Sequence, residues 1–294
     1  MKCKTAATVL ALIVVLAAAL TPSAGASGDP VGTAALLEIG LSARALGMGG
    51  VGIALADDAN TIYHNPGGLG LVDGNHVCAL YTEQFGAAGY MSAGFAGSHF
   101  GADILRLDAS GIEAYDPFAN LTGVFGVTEL AGAIGYGHDV LPWLSLGASG
   151  KFYMQTLPEN TGKGFTFDVG ALAQMLDGRL ALGVVGRDLL GSVKYETGST
   201  DPFDRSFGVG VAVRPLDGLL VAADAILGET VVGKFGAEYR WGPVALRAGA
   251  QLSEASRCYT AGAGFALHGF TIDYAYQAHN ILPDSHRISL GVRF

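Results

Sequence analysis

Gly47-Met48-Gly49-Gly50-Val51-Gly52 has the spacing of a dinucleotide-binding glycine loop. That chemistry needs the loop between a strand and a helix, with parallel βαβ units beyond it. The segments downstream are short and separated by turn signals, so the glycines read as backbone turns that permit close packing. Asp57-Asp58 pairs two hard carboxylates of the kind calcium favours. No further acids follow at the spacing of a cation loop, and both acids are expected to bond nearby backbone or interior arginines. Seven histidines invite a search for nucleophilic catalysis. There is no Gly-x-Ser-x-Gly elbow, and spacing brings no Ser/His/Asp set together. The chain is expected to be no enzyme and to hold neither cofactor nor metal. A last group, Asp168, Arg187, Lys234, Glu238, Arg240, Arg247, Asp273, Arg287 and Arg293, shares the polar face of alternating segments. Such residues could mark a solute path. The favoured reading is a mutually satisfied network that fills a narrow lumen.

The elements that must carry these residues are strands. From Trp143 to Gln155, Leu144, Leu146, Ala148, Phe152 and Met154 fall on one face, with Ser145, Ser149, Lys151, Tyr153 and Gln155 on the other. A period of two residues is the strand signature. The pattern recurs at Phe165–Met175, Val231–Trp241, Val244–Ser253 and Phe270–His279. Asp177-Gly178, Asp217-Gly218 and His268-Gly269 supply tight hairpin turns. Longer polar loops are expected at Pro158–Lys163, Gly198–Asp204 and Leu282–Ser285, and Ser110–Thr122 reads as a strand extension plus a loop. Short turns at one end and longer loops at the other, with about fourteen segments, match outer-membrane barrels. A soluble β-sandwich would alternate too, with its apolar face inward.

Composition and the N-terminus separate the two. Hydrophobic residues make up 50% of the 294, and charged ones only 15%, against about 25% in a soluble domain; mean hydropathy is +0.38. Lys2 and Lys4 precede an apolar run from Val9 to Leu20, then Pro22 and the small residues Ala24-Gly25-Ala26. This is the order of a cleaved secretory signal, expected over 1–26. The run is short of the roughly 20 residues of a membrane helix. A net charge of −9 argues against nucleic-acid binding, which normally demands a basic patch. Cys78 and Cys258 are expected to stay unpaired. Trp143, Tyr239, Trp241, Tyr274 and Tyr276 lie near strand ends, where aromatic girdles meet the membrane surface. The reading is an all-β, transmembrane antiparallel barrel over 75–294, preceded by a linker and plug over 27–74 and embedded in outer-membrane lipid.

The chain closes on a strand in which Ile288, Leu290, Val292 and Phe294 share one face. It resembles the signal read by the barrel-assembly machinery. Three N-terminal blocks, Ser42–Gly50 (with Arg44, Gly47, Met48, Gly49 and Gly50), Ala54–Ala59 (with Asp57 and Asp58) and Asn65-Pro66-Gly67-Gly68-Leu69, resemble the PorV/PorQ family, within the wider set of FadL-like barrels. Phe235–Tyr239, Ala245–Gly249, Asp273–Tyr276 and His286–Gly291 extend the resemblance over the mature chain. Gly67 departs from the family's usual Ala after Asn-Pro, an exchange expected to be mild. The resemblance implies a fourteen-stranded barrel with an inward-folded plug. It also implies one of two roles: a type IX secretion component that handles exported proteins, or a passive transporter of hydrophobic solutes.

Overall fold

The computed structural model describes residues 34–84, 88–281 and 283–294. The expected signal peptide and the first residues of the linker lie outside them. Sixteen strands form among the described residues: β1 (Asn75–Gln84), β2 (Ala88–Gly97), β3 (Phe100–Tyr115), β4 (Leu121–Leu141), β5 (Leu144–Leu157), β6 (Asn160–Met175), β7 (Leu180–Arg187), β8 (Ser192–Tyr195), β9 (Thr200–Pro202), β10 (Ser206–Leu216), β11 (Leu219–Leu227), β12 (Val231–Trp241), β13 (Val244–Leu252), β14 (Arg257–Leu267), β15 (Phe270–His279) and β16 (Ser285–Arg293). Each wall strand pairs antiparallel with its neighbours. β16 returns to β1 (Tyr81 opposite Ile288, Val77 opposite Val292), and β5 pairs along its length with β6. The short β8 and β9 form a side hairpin, which leaves fourteen strands in a closed barrel.

The alternation resolves into an inside-out wall. Ile134 is 74% exposed on the outer face, while Asp168 and Glu238 are buried within. Leu146, Val184, Ile272, Ile288 and Leu290 join Ile134 outside. Held in water, each would forgo about 1.5–3 kcal/mol of burial. This is a lipid-facing wall, the reverse of a sandwich, whose apolar faces meet inside. No helix among the described residues is long and apolar enough to cross a membrane; the strands supply the crossing.

One end of the barrel carries tight connections at residues 98–99, 142–143, 176–179, 217–218, 242–243 and 268–269. Phe294 lies at this turn end, paired by two backbone hydrogen bonds to Asn75. The opposite, loop end is shorter than the sequence reading expected. Asn160–Lys163 continue β6, and Thr200–Pro202 form β9. Both polar stretches find partners, Thr161 opposite Thr156 and Lys194 opposite Thr200, so ladder hydrogen bonds override their loop-like composition. Ser110–Thr122 divide as expected into a strand extension to Tyr115, a loop, and the start of β4.

The core sits between the wall and the N-terminal segment. Leu36, Leu41, Ile53, Val51 and Leu69 of that segment are fully buried inside the barrel. Its local structure is economical: a 3-10 turn at Ala35–Glu38, one-turn helices at Ala43–Gly47 and Thr61–His64, and a 3-10 stretch at Pro66–Leu71. Ser42 caps the first helix by accepting from the Ala45 N–H, and Asn65 caps the last turn by accepting from the Gly67 N–H.

Candidate functional site

The plug is fitted to the wall backbone against backbone. Gly49, at φ +70°, lies so close to β12 and β13 that a Cβ there would stand 2.5 Å from the Phe235 carbonyl oxygen and 2.7 Å from the Ala250 nitrogen. The wall answers with its own glycines: a Cβ on Gly236 would strike the Met48 carbonyl, and one on Gly147 the Pro66 carbonyl. Gly67 corrects the expectation of a mild exchange. An alanine Cβ at 67 would fall 2.6 Å from the Ala171 nitrogen and the Gly170 carbonyl carbon, both immovable ladder atoms. The Gly47–Gly52 run thus consists of buried turns against strands.

Side chains from the wall then pin the plug. Asp224 accepts from the Gly52 and Ile53 N–H groups at 2.7 and 3.1 Å. Ser289 accepts from the Ala43 N–H, and Thr260 from the Gly49 N–H. Tyr90, Ser92 and Arg287 donate to the carbonyls of Gly40, Leu41 and Ile39. Arg187 donates to the His64 carbonyl, and Asn65 donates to Ile53 and Ala171. Burial, with Arg187, Lys234 and Arg44 nearby, holds the His64 ring well below the usual imidazole pKa, so it stays neutral.

Arg44 is the charged hub. Its guanidinium donates to Glu238 (3.1 and 3.2 Å), Asp57 (2.8 and 3.1 Å) and Asp58 (2.6 Å). Glu238 also accepts from Arg247 at 2.6 Å and pairs with Arg240 at 2.8 Å; Arg247 reaches Asp273 at 2.7 Å, and Arg214 reaches Asp57 at 3.2 Å. Burial alone would raise the Asp57 carboxyl, but Arg44 beside it holds it well below the ordinary carboxylate range. The acid pair is satisfied by arginine. Four residues singled out in the sequence, Glu238, Arg240, Arg247 and Asp273, therefore share one network with Arg44, Asp57 and Asp58. Asp168 belongs elsewhere, in contact with Lys151 at 2.7 Å, which also reaches Asp188 at 3.2 Å. Lys234 lies beside Gly50, and Arg293 pairs with Asp73 at the turn-end rim.

The two ends of the lumen differ in chemistry. Beneath the plug, the turn end opens into cavities of about 360 and 460 Å³ whose linings include Arg44, Arg214, Arg240, Asp57 and Asp177, together with apolar side chains such as Val244 and Phe265 in the first. Toward the loop end an apolar layer forms beside Glu129 and Lys151: Leu36, Tyr90, Leu105, Tyr153, Val193 and Phe203 belong to one buried cluster, with Leu37 and Tyr195 packed on it, that continues along the plug through Leu41, Ile62 and Leu69. The β8–β9 excursion folds inward to make this layer. Val193 and Tyr195 lie on Gly162, Phe203 packs on Gly164 and edge-on to Tyr153, and the Tyr195 hydroxyl donates to Gln155. A small residual cavity remains between Leu37, Tyr63, Leu105 and Ala133, with Asp103 and Lys151 also in its lining.

Sequence reasoning missed Asp224, Arg214, Asp188 and the inward hairpin. Asp224 carried a signal, as the one charge in the apolar run Leu219–Leu227. Val193 and Phe203 carried none, because a loop excursion has no periodicity to read.

No family model matches the sequence, and no curated protein does. Solved structures do match in fold. The Ralstonia pickettii toluene transporter TbuX superposes with a TM-score of 0.62 at 15% identity, covering 87% of this chain and 98% of that one. The CymD monoaromatic hydrocarbon channel gives 0.61 at 17% identity, with 87% and 98% covered. A Pseudomonas aeruginosa FadL homologue gives 0.60 at 12%, with 86% and 96% covered. The fold is that of the FadL-like barrels.

Proposed function

We propose that the protein is an outer-membrane transporter that passes small hydrophobic molecules through a plugged barrel, by binding and gating without catalysis. The carrying observation is the apolar layer at the loop end of the lumen. Barrel interiors are ordinarily polar, and here Leu36, Leu105, Tyr153, Val193 and Phe203 pack into an apolar layer, with the arginine-bearing cavities below the plug. A hydrophobic solute entering from the loop end would replace the contacts of Leu36 and Leu37, displacing the N-terminal segment from the layer. The fold shared with barrels described as toluene transporters and a monoaromatic hydrocarbon channel supports this reading. The test is uptake of radiolabelled toluene by outer-membrane-bearing cells expressing the protein, beside an empty vector and a Leu36→Asp variant. Uptake equal to the empty vector would overturn the proposal.

A second reading, a PorV-like component that handles exported proteins of a type IX secretion system, has one observation in its favour. Residues 110–127 of the β3–β4 hairpin pair only with each other, beyond the ends of β2 and β5, and the hairpin presents Tyr115 and Phe118 to solvent. Removing 116–120 would then abolish surface attachment of exported proteins in the native host and leave toluene uptake intact.

A further inference from the structure

The turn-end rim carries a cluster that neither the plug nor the lumen uses. His99, in the two-residue turn between β2 and β3, and the consecutive His138 and Asp139 near the end of β4 each present one donor atom within 4.8 Å of the others. The His99 Nε2 lies 3.1 Å and the His138 Nδ1 3.9 Å from the same Asp139 oxygen. We propose that His99, His138 and Asp139 form a binding site for one divalent transition-metal cation, of the zinc, nickel or copper(II) class.

Five features argue for it beyond proximity. The donor set is two imidazoles and a carboxylate, which suits these ions and leaves a fourth position for water. All three side chains are partly exposed, 38%, 60% and 48%, so an ion can enter without unfolding. The backbone is also arranged at a cost: Ser98 and His99 adopt φ +43° and +79°, where the turns at 177–178, 217–218 and 268–269 place glycine second. A histidine in that slot is strained, and such strain gathers at functional positions. A bulge between Asp139 and Leu141 shifts the register of β4 immediately beyond the two strand donors, as bulges beside sites commonly do. Tyr136 lies against both imidazoles, 6.2 Å from His99 and 6.4 Å from His138, and Phe100 backs Tyr136. Bonds of about 2.0–2.1 Å to imidazole nitrogen need only side-chain rotation at this exposed rim.

The experiment titrates the detergent-folded mature chain with zinc chloride by calorimetry and with copper(II) by electron paramagnetic resonance. One equivalent should bind, with nitrogen hyperfine structure from two imidazoles. His138→Ala should weaken it at least tenfold. His99→Asn should do the same, and because asparagine tolerates a left-handed backbone its barrel should keep wild-type heat-modifiable migration even if the alanine variant misfolds. His286→Ala, at the loop end, should leave binding unchanged. Absence of saturable binding by the wild type, or affinity in folded His99→Asn within twofold of wild type, would overturn the proposal.

Discussion

Replacing Arg44 with methionine keeps much of the side-chain volume and deletes the charge on which the plug network converges. The Arg44 side chain is 9% exposed and makes five hydrogen bonds to three carboxylates. Removing one partner of a buried ion pair costs about 3–5 kcal/mol. Glu238 retains Arg247 and Arg240, and Asp57 retains Arg214, so the lower end applies, about 3 kcal/mol, or roughly 150-fold in the opening equilibrium of the plug. Hydrogen exchange followed by mass spectrometry reads this directly: peptides spanning 42–70 should exchange about 150-fold faster than in the wild type, with peptides from β14 to β16 unchanged. The pH dependence follows from Asp57. Its pKa in the folded protein lies below the unfolded value, so its contribution is present above the ordinary carboxylate range and is lost as pH falls through the depressed folded value. In Arg44→Met the crowded carboxylates instead gain by protonation. The difference between variant and wild type should therefore be full at pH 7 and shrink as pH falls through about 4. Plug exchange within threefold of wild type at pH 7, or a difference constant between pH 4 and 8, would refute the reasoning.

Gly67→Ala and Gly147→Ala should each destabilise by about 1–3 kcal/mol through overpacking, lowering the urea midpoint for loss of heat-modifiable migration. Gly123→Ala, which meets open space on β4, should stay within about 0.5 kcal/mol of wild type. Deleting Phe294 removes both an outward aromatic and the backbone pairing to Asn75, and should lower the yield of assembled barrel; an unchanged yield and mobility would count against it. Phe203→Ala should loosen the inward hairpin and raise toluene uptake above wild type, whereas an unchanged rate would place the barrier elsewhere in the lumen.

The wall was legible because period-two alternation maps onto the two faces of a strand, and a lipid-facing barrel maintains it around its circumference. Lys234, Glu238, Arg247 and Asp273 announced the inner face in this way, and Asp177-Gly178 and Asp217-Gly218 announced two of the turns. The N-terminal blocks announced that the plug is special without saying what it meets. Pairing requires distance in space, which a linear pattern does not carry. Arg44 lies 194 residues from Glu238, and His99 is brought to His138 by strand register alone. Gly67 makes the same point: glycine there is readable as a turn residue, but only the nearness of the Ala171 nitrogen makes alanine costly. The sequence by itself determined a lipid-facing antiparallel barrel, because alternation and turn chemistry are local and the low charge and N-terminal signal pattern place the apolar face outward. Tertiary structure alone decided which charges meet, where the lumen turns apolar, and how tightly the plug is held, because those depend on strand register and on backbone packed against backbone.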